Sequence, residues 1–125
     1  MLILSAMPMQ WAVVRLDPSS SIPQWAAQGN DFFSITKTAE ELSIVCVEEN
    51  VPSGVKVEKG WKCFKLKGPF DFGTTGVLSS VIEPLGKAKI GIFAISTFDT
   101  DYVLVKKENF EKAIAVLEKF CKIVD

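Results

Sequence analysis

Histidine is missing from this chain of 125 residues. Its absence excludes histidine-based catalytic triads, histidine metal ligands and histidine acid–base catalysis within the chain. Cysteine is scarce: Cys46, Cys63 and Cys121 lie far apart and include no Cys-x-x-Cys pair, so neither a disulfide framework nor a zinc site is expected. We expect Cys46 and Cys63 in apolar strands and Cys121 on a helix, each as a small hydrophobe. Reduced thiols fit a cytoplasmic protein.

The chain also has no large excess of charge of either sign: 14 basic and 15 acidic residues give a net charge of −1. Nucleic acids and anionic membranes are bound by polycationic faces, so neither partner is expected. The apolar residues 1–7 lack the basic leader of a signal peptide and end at Pro8, and no run is long enough to span a membrane. A hydrophobic content of 48% instead predicts one compact unit or two very small, closely packed ones.

The most informative stretch is residues 73–86, a glycine-rich turn followed by a predicted helix. Five apolar residues recur there at helical spacing: Val77, Leu78, Val81, Ile82 and Leu85. They predict a helix with one buried face. Thr74 or Thr75 is expected to cap its start, Pro84 to bend or shorten its last turn, and Gly86 to end it in a left-handed conformation.

Two further apolar runs, residues 90–97 and 102–105, predict a strand hairpin connected by Asp99-Thr100-Asp101. The glycine-rich turn before the helix exposes backbone N–H groups and the positive end of the helix dipole, which suits a carboxylate or phosphate. The alternative is that the glycines only form a tight strand-to-helix turn.

An earlier hairpin repeats this pattern, since residues 33–36 match 93–96 and residues 42–45 match 102–105. The chain therefore resembles a duplication. Each half is expected to run strand, helix, strand, strand. A helix over residues 110–122, capped by Asn109, follows the second hairpin, whereas the first is followed only by a turn at residues 51–54.

The segment Gly76-Val77-Leu78-Ser79, with Ile82 and Pro84-Leu85-Gly86, resembles the core motif of the ACT domain, a small ligand-binding module. Residues 95–105 resemble the hairpin of tandem ACT proteins, a subgroup that includes aspartate kinase regulatory domains and CASTOR-like cytosolic arginine sensors. One departure concerns the usual Asp-x-Pro-Gly turn: Thr75 precedes Gly76 here, and the nearest acid is Asp71.

The resemblance implies an α+β fold of two ferredoxin-like βαββαβ ACT units in tandem, with antiparallel sheets and helices on one face. Residues 1–60 are expected to form the first unit, with its second helix reduced, and residues 61–125 the second. Residues 2–6 are expected to complete the sheet of the second unit. ACT sheets commonly pair side by side, so a homodimer is expected.

The resemblance further implies that a free amino acid binds where two units meet, with no cofactor, and that a partner protein reads the resulting change in conformation or association. The positions carried over from the family are Asp71, Gly73, Thr74, Thr75, Gly76, Val77, Leu78, Ser96, Thr97, Phe98, Asp99, Thr100 and Asp101. Backbone N–H groups suit the ligand carboxylate, and side-chain carboxylates suit an amine or guanidinium.

Two other functions are compatible with the sequence. The missing Asp-x-Pro-Gly turn and the shortened first half favour a protein-interaction module that binds no ligand. A small enzyme is the third possibility, but the chain has no nucleophile with a base and no metal cluster. Lys37, Lys65 and Lys67 lie in predicted strands; they either bind anions or remain solvated.

Overall fold

The computed structural model describes residues 1–71 and 73–125. Within them lie eight strands and two α-helices. The strands are β1 (Leu2–Ala6), β2 (Trp11–Leu16), β3 (Ser34–Lys37), β4 (Leu42–Val47), β5 (Lys56–Leu66), β6 (Ile92–Ser96), β7 (Asp101–Lys106) and β8 (Cys121–Val124); the α-helices are α1 (Val77–Lys87) and α2 (Phe110–Leu117). No helix in these ranges is long and apolar enough to cross a membrane.

The chain forms two compact units. The continuous unit is Met9–Trp61, and the two-segment unit combines Met1–Pro8 with Lys62–Asp125. Strand β5 runs through the boundary, so its first part belongs to one unit and its last part to the other. The chain is therefore an α+β protein in which antiparallel strand pairs dominate, as the sequence predicted.

In the two-segment unit, the chain from Lys62 onward runs β5, α1, β6, β7, α2, β8, which is the predicted βαββαβ sequence of elements. Strand β7 pairs with both β5 and β6. Strand β1 pairs antiparallel with β5, Leu4 opposite Leu66, and parallel with β8, Leu2 opposite Cys121. The first residues of the chain thus lie between β5 and β8, which confirms that residues 2–6 complete this sheet.

The core of the two-segment unit is built by apolar residues on one face of this sheet and on the inner faces of both α-helices. Its buried members are Leu4, Phe64, Leu66, Val81, Leu85, Ile90, Val103, Val105, Ala113, Leu117 and Cys121. Because strand side chains alternate between faces, Ser5 and Lys65 lie on the face opposite the helices. The helices cover only one side of these strands.

The continuous unit has strand order β3-β4-β2-β5. Residues 9–61 are all described and contain no α-helix, only 3-10 helices at Gln24–Ala27 and Glu48–Asn50. Its core is Val14, Ala26, Leu42, Ile44 and Cys46. The pairing of β2 with β5 shifts register between Trp11 and Val13, where Gly60 adopts φ 78° and donates its N–H to Oε1 of Glu48 at 2.6 Å. A bulge at glycine explains this shift, because a left-handed φ is inexpensive only there.

The two hairpins end in similar turns. The N–H of Thr38 donates to the carbonyl of Glu41 at 3.0 Å, and the N–H of Thr97 donates to the carbonyl of Thr100 at 2.7 Å. In each turn the threonine hydroxyl accepts an N–H from the fourth residue, at 3.1 Å from Glu41 and at 3.3 Å from Thr100. A 3-10 helix follows each hairpin, at Glu48–Asn50 and Lys107–Asn109. This repeated local geometry agrees with the predicted duplication.

The prediction of the ends of α1 was wrong at both termini. The residue that precedes the helix is Gly76, at φ 77°, and no side chain caps it, so neither Thr74 nor Thr75 has the expected role. At the other end, Gly86 lies inside the helix and Lys89 takes the left-handed conformation, φ 65°. Pro84 lies within the last turns, yet the helix continues to Lys87.

The prediction for the C-terminal residues was also wrong, because α2 ends at Leu117 and Cys121–Val124 is a strand rather than the end of a helix. The residues between them form a tight turn, in which the N–H of Phe120 donates to the carbonyl of Leu117 at 2.9 Å. Alternation then places Cys121 in the core next to β1. Asn109 precedes α2, but its side chain makes no capping bond.

Candidate functional site

One open pocket of about 440 Å³ lies in the two-segment unit, between the loop after β5, the start of α1 and the turn of the β6–β7 hairpin. Eleven of the thirteen predicted site residues line it: Asp71, Thr74, Gly76, Val77, Leu78, Ser96, Thr97, Phe98, Asp99, Thr100 and Asp101. Gly73 and Thr75 belong to the same loop but do not line the pocket. The structure thus brings two separated stretches of the sequence around one space.

Three of the described lining residues were not predicted from the sequence: Phe70, Ser79 and Ile82. A signal existed for Ile82, because it follows Leu78 by four residues and therefore shares its helical face. Phe70 carried no such signal, since it lies in an irregular segment whose position depends on contacts with the distant hairpin.

The start of α1 presents donors to the pocket. Gly76 turns the chain into the helix with a left-handed φ, and its carbonyl accepts the N–H of Ser80 at 3.0 Å and the hydroxyl of Ser79 at 3.1 Å. The N–H groups of the first turn, including those of Val77 and Leu78, have no acceptor within the helix. Together with the helix dipole they favour an anionic group at this end of the pocket.

The opposite wall is the hairpin turn, which is tied to the end of β5. The hydroxyl of Thr100, a buried side chain, donates to the carbonyl of Leu66, and the N–H of Phe70 donates to the carbonyl of Asp99 at 2.8 Å. Asp101, the expected last residue of the turn, is instead the first residue of β7. These bonds fix the position of the turn relative to the loop.

The side-chain charges of the pocket are all negative. Asp71, Asp99 and Asp101 contribute carboxylates, and none of its described lining residues is a lysine or arginine. Asp101 also accepts the hydroxyl of Ser96, a contact that orients the carboxylate. Phe70, Phe98 and Ile82 add apolar surface, so the pocket offers acceptors at one side, helix N–H groups at the other and hydrocarbon contacts between them.

In the continuous unit, one cation of the chain itself contacts the corresponding hairpin turn, because Nη2 of Arg15 donates to the carbonyl of Glu40 at 2.8 Å. Nζ of Lys37 donates instead to the carbonyl of Pro18, in the loop after β2. Glu40 occupies the place in its turn that Asp99 occupies in the β6–β7 hairpin, counting from the threonines that begin the two turns.

The described lining residues of the pocket include no histidine, cysteine or lysine. Among the described residues, no group of three or more histidine, cysteine or acidic side chains could hold a metal ion. The Ser79 hydroxyl donates to a carbonyl, and the chain has no histidine to serve as its base. Burial raises the pKa of the Cys46 thiol to about 11 and that of Cys63 to about 12, so these thiols are poor nucleophiles. The geometry suits the binding of a molecule that carries both a positive and a negative group.

The βαββαβ order of elements, with a glycine turn and a helix start facing a hairpin, is that of a small ferredoxin-like module. The ACT domain family model matches residues 56–119, just over half of the chain, and a second model, described as an N-terminal domain, matches residues 9–54. The chain belongs to the ACT domain family.

Among curated proteins, the chain is 33% identical over 93 residues to human CASTOR3P, covering 62% of this chain and 56% of that protein. It is 28% identical over 99 residues to the cytosolic arginine sensor for mTORC1 subunit 1 of Bos taurus, covering 70% of this chain and 30% of that one. The chain thus spans about half or less of the length of these relatives. They confirm the predicted resemblance to CASTOR-like ACT proteins.

Two solved structures extend the comparison. An Agrobacterium tumefaciens protein is 43% identical, with a TM-score of 0.92 over 98% of this chain and 92% of its own. The regulatory subunit of aspartate kinase from Thermus flavus shares the fold at 10% identity, with a TM-score of 0.63 over 93% of this chain and 95% of its own. The expected likeness to aspartate kinase regulatory domains is confirmed at the level of the fold.

Proposed function

We propose that this protein binds a free amino acid in the pocket between α1 and the β6–β7 turn and acts as a regulatory sensor rather than as an enzyme. The proposal rests on one observation: hydrogen-bond donors and carboxylates face each other across the same pocket. Helix N–H groups at Val77 and Leu78 suit an α-carboxylate, and the carboxylates of Asp99 and Asp101 suit an ammonium group. The name of the bovine relative, an arginine sensor, agrees with this assignment.

The ligand we favour carries a positive side chain. Three carboxylates line the pocket without a lysine or arginine among its described lining residues, and one α-ammonium group leaves part of that negative charge uncompensated. In the continuous unit, a guanidinium from the chain itself, that of Arg15, contacts the corresponding turn. Arginine and lysine are therefore the first candidates.

Binding would act through linkage. A ligand that touches both the α1 start and the hairpin turn stabilises the arrangement in which the two are close, and another protein or a second copy of the chain reads that arrangement. We propose a homodimer in the cytoplasm, supported by the word cytosolic in the name of the bovine relative and by the exposed side chains of Phe98 and Phe120.

A thermal-denaturation screen against the twenty amino acids tests this function. Arginine or lysine should raise the midpoint most, since a ligand at a hundred times its Kd adds about 2.7 kcal/mol to the free energy of unfolding. Asp99→Asn and Asp101→Asn should reduce the shift while the proteins stay folded. Glu111→Gln, which removes one carboxylate from the exposed first turn of α2, is the matched control and should leave the shift unchanged.

A flat response to all twenty amino acids at millimolar concentration would contradict the proposal. It would leave the protein-interaction module as the better interpretation. An equal loss of response in Glu111→Gln would show that general charge, rather than this pocket, is responsible.

A further inference from the structure

A second cavity, of about 490 Å³, lies in the two-segment unit beside the same hairpin turn. Its lining includes Ser5 of β1, Lys65 of β5, and residues 67–69 directly after β5. Asp99 and Thr100 line it as well, and these two residues also line the first pocket. The turn is thus a wall shared by two cavities with different side-chain chemistry.

Lys65 lies on β5, and Lys67 is the first residue after that strand. Lys65 pairs with Ser5 of β1, and the N–H of Lys67 donates to the carbonyl of Ile3 at 2.9 Å, which continues the same ladder. Residues two apart on a strand share a face and lie about 6.6 Å apart. Their ammonium groups can therefore approach one small anion from two sides, each at about 2.8 Å from an oxygen.

Neither ammonium group lies in an ion pair that satisfies it. Lys65 has Nζ 5.9 Å from the centre of the Tyr102 ring, a distance at which an aromatic face attracts a cation only weakly. By contrast, Nζ of Lys87 lies 3.3 Å from Oε1 of Glu83 on α1, within a salt bridge. Two adjacent ammonium groups repel each other until an anion binds between them.

The lining also includes residues of the opposite charge, Asp99 and Asp125. Their carboxylates repel an anion and lower its affinity for the cavity. Removing the negative charge of Asp125 should therefore strengthen anion binding. Ser5 pairs with Lys65 on β5 and with Val124 on β8, so it lies between these two residues in the sheet. It can donate one further hydrogen bond to an anion.

We propose that the cavity lined by Lys65, Lys67 and Ser5 is a second ligand site, which binds the oxyanion group of a small metabolite. A phosphoryl group and a carboxylate share this chemistry, and inorganic phosphate and succinate are the probes that distinguish them. This site lies on the face opposite the helices, whereas the amino-acid pocket lies at the start of α1. Its existence does not depend on the amino acid proposed for that pocket.

Calorimetric titration at low ionic strength, with amide chemical shifts recorded in parallel, tests the proposal. Phosphate or succinate should bind saturably and shift the amides of Lys67, Gly68 and Thr100. Lys65→Met/Lys67→Met should weaken binding about tenfold or more, because each lost contact is a charge-assisted hydrogen bond. Asp125→Asn should strengthen it. The lysines are exposed, so the double variant should keep the unfolding midpoint of the parent.

Lys112→Met is the matched control, since it removes a lysine from the exposed surface of α2 and should leave binding unchanged. Tighter binding of phosphate identifies a phosphoryl group, and tighter binding of succinate identifies a carboxylate; either supports the site. Three results would overturn it: no saturable binding of either probe, unchanged binding in the double variant, or an equal loss in Lys112→Met.

Discussion

Gly68 allows the loop after β5 to approach the hairpin turn closely. A Cβ atom at this position would lie 2.9 Å from the carbonyl oxygen of Asp99 and 3.1 Å from the backbone nitrogen of Phe70. Those two atoms are joined by a hydrogen bond of 2.8 Å. Neither is the end of a flexible side chain, so the contact cannot be relieved by a rotamer change. The requirement for glycine here is a matter of space rather than of φ.

Gly68→Ala should therefore separate the turn from the loop. We expect the free energy of unfolding to fall by about 1–3 kcal/mol, the usual cost of overpacking, measured by urea denaturation. The response to arginine should weaken as well, because Asp99 moves. Gly73→Ala is the control, since no atom lies within 4 Å of its added Cβ. Equal stability of the two variants would show that the approach to Asp99 relaxes without cost.

At the scale of elements, the inner face of α1 could be predicted, whereas its ends could not. Val81 and Leu85 are fully buried, as the apolar spacing indicated. The end of the helix depends on hydrogen bonds that spacing does not reveal: the N–H of Ile90 donates to the carbonyl of Leu85, and that of Lys89 to the carbonyl of Gly86, each at 3.0 Å. This is a Schellman arrangement, normally completed by glycine at the position that Lys89 occupies.

Two substitutions test whether Lys89, as in the structure, or Gly86, as the sequence predicted, takes the left-handed conformation at the end of α1. Gly86→Ala should stabilise the protein by about 1 kcal/mol, because Gly86 is helical and its added Cβ meets no atom within 4 Å. Lys89→Gly should stabilise it by up to about 1 kcal/mol by relieving the left-handed φ of a residue with a side chain. Urea denaturation measures both. A destabilised Gly86→Ala would mean that Gly86, not Lys89, takes the left-handed conformation.

The wrong prediction at the C-terminus has a related cause. Ala113 and Leu117 carry the helical period, and Cys121 extends it by four residues, so periodicity alone joins them into one helix. The pairing of Cys121 with Leu2, at the other end of the chain, makes it a strand. The same distinction holds for the candidate site. Its glycine turn and hairpin could be predicted because they are local sequence patterns. The position of Phe70 could not, because it depends on a hydrogen bond to the distant carbonyl of Asp99.

At the scale of the molecule, the repeated hairpin carried the strongest information, because two copies of one local pattern limit the possible folds. The two-segment unit has the four strands of its βαββαβ order and adds β1 as a fifth, between β5 and β8. The chain order of this unit is therefore discontinuous, and contacts between its first and last residues must form before its sheet is complete.

Leu4 tests how far the two-segment unit depends on its first segment. Leu4 is 0% exposed and packs in the same core as Leu66 and Leu117, so Leu4→Ala should lower the free energy of unfolding by about 2–5 kcal/mol. Ser5→Ala, on the same strand but outside that core, should change it little. Hydrogen exchange should show faster opening throughout β5 and β8 in Leu4→Ala. If exchange rises only within β1, the strand is an addition to a sheet that is stable without it, because the loss then stays local.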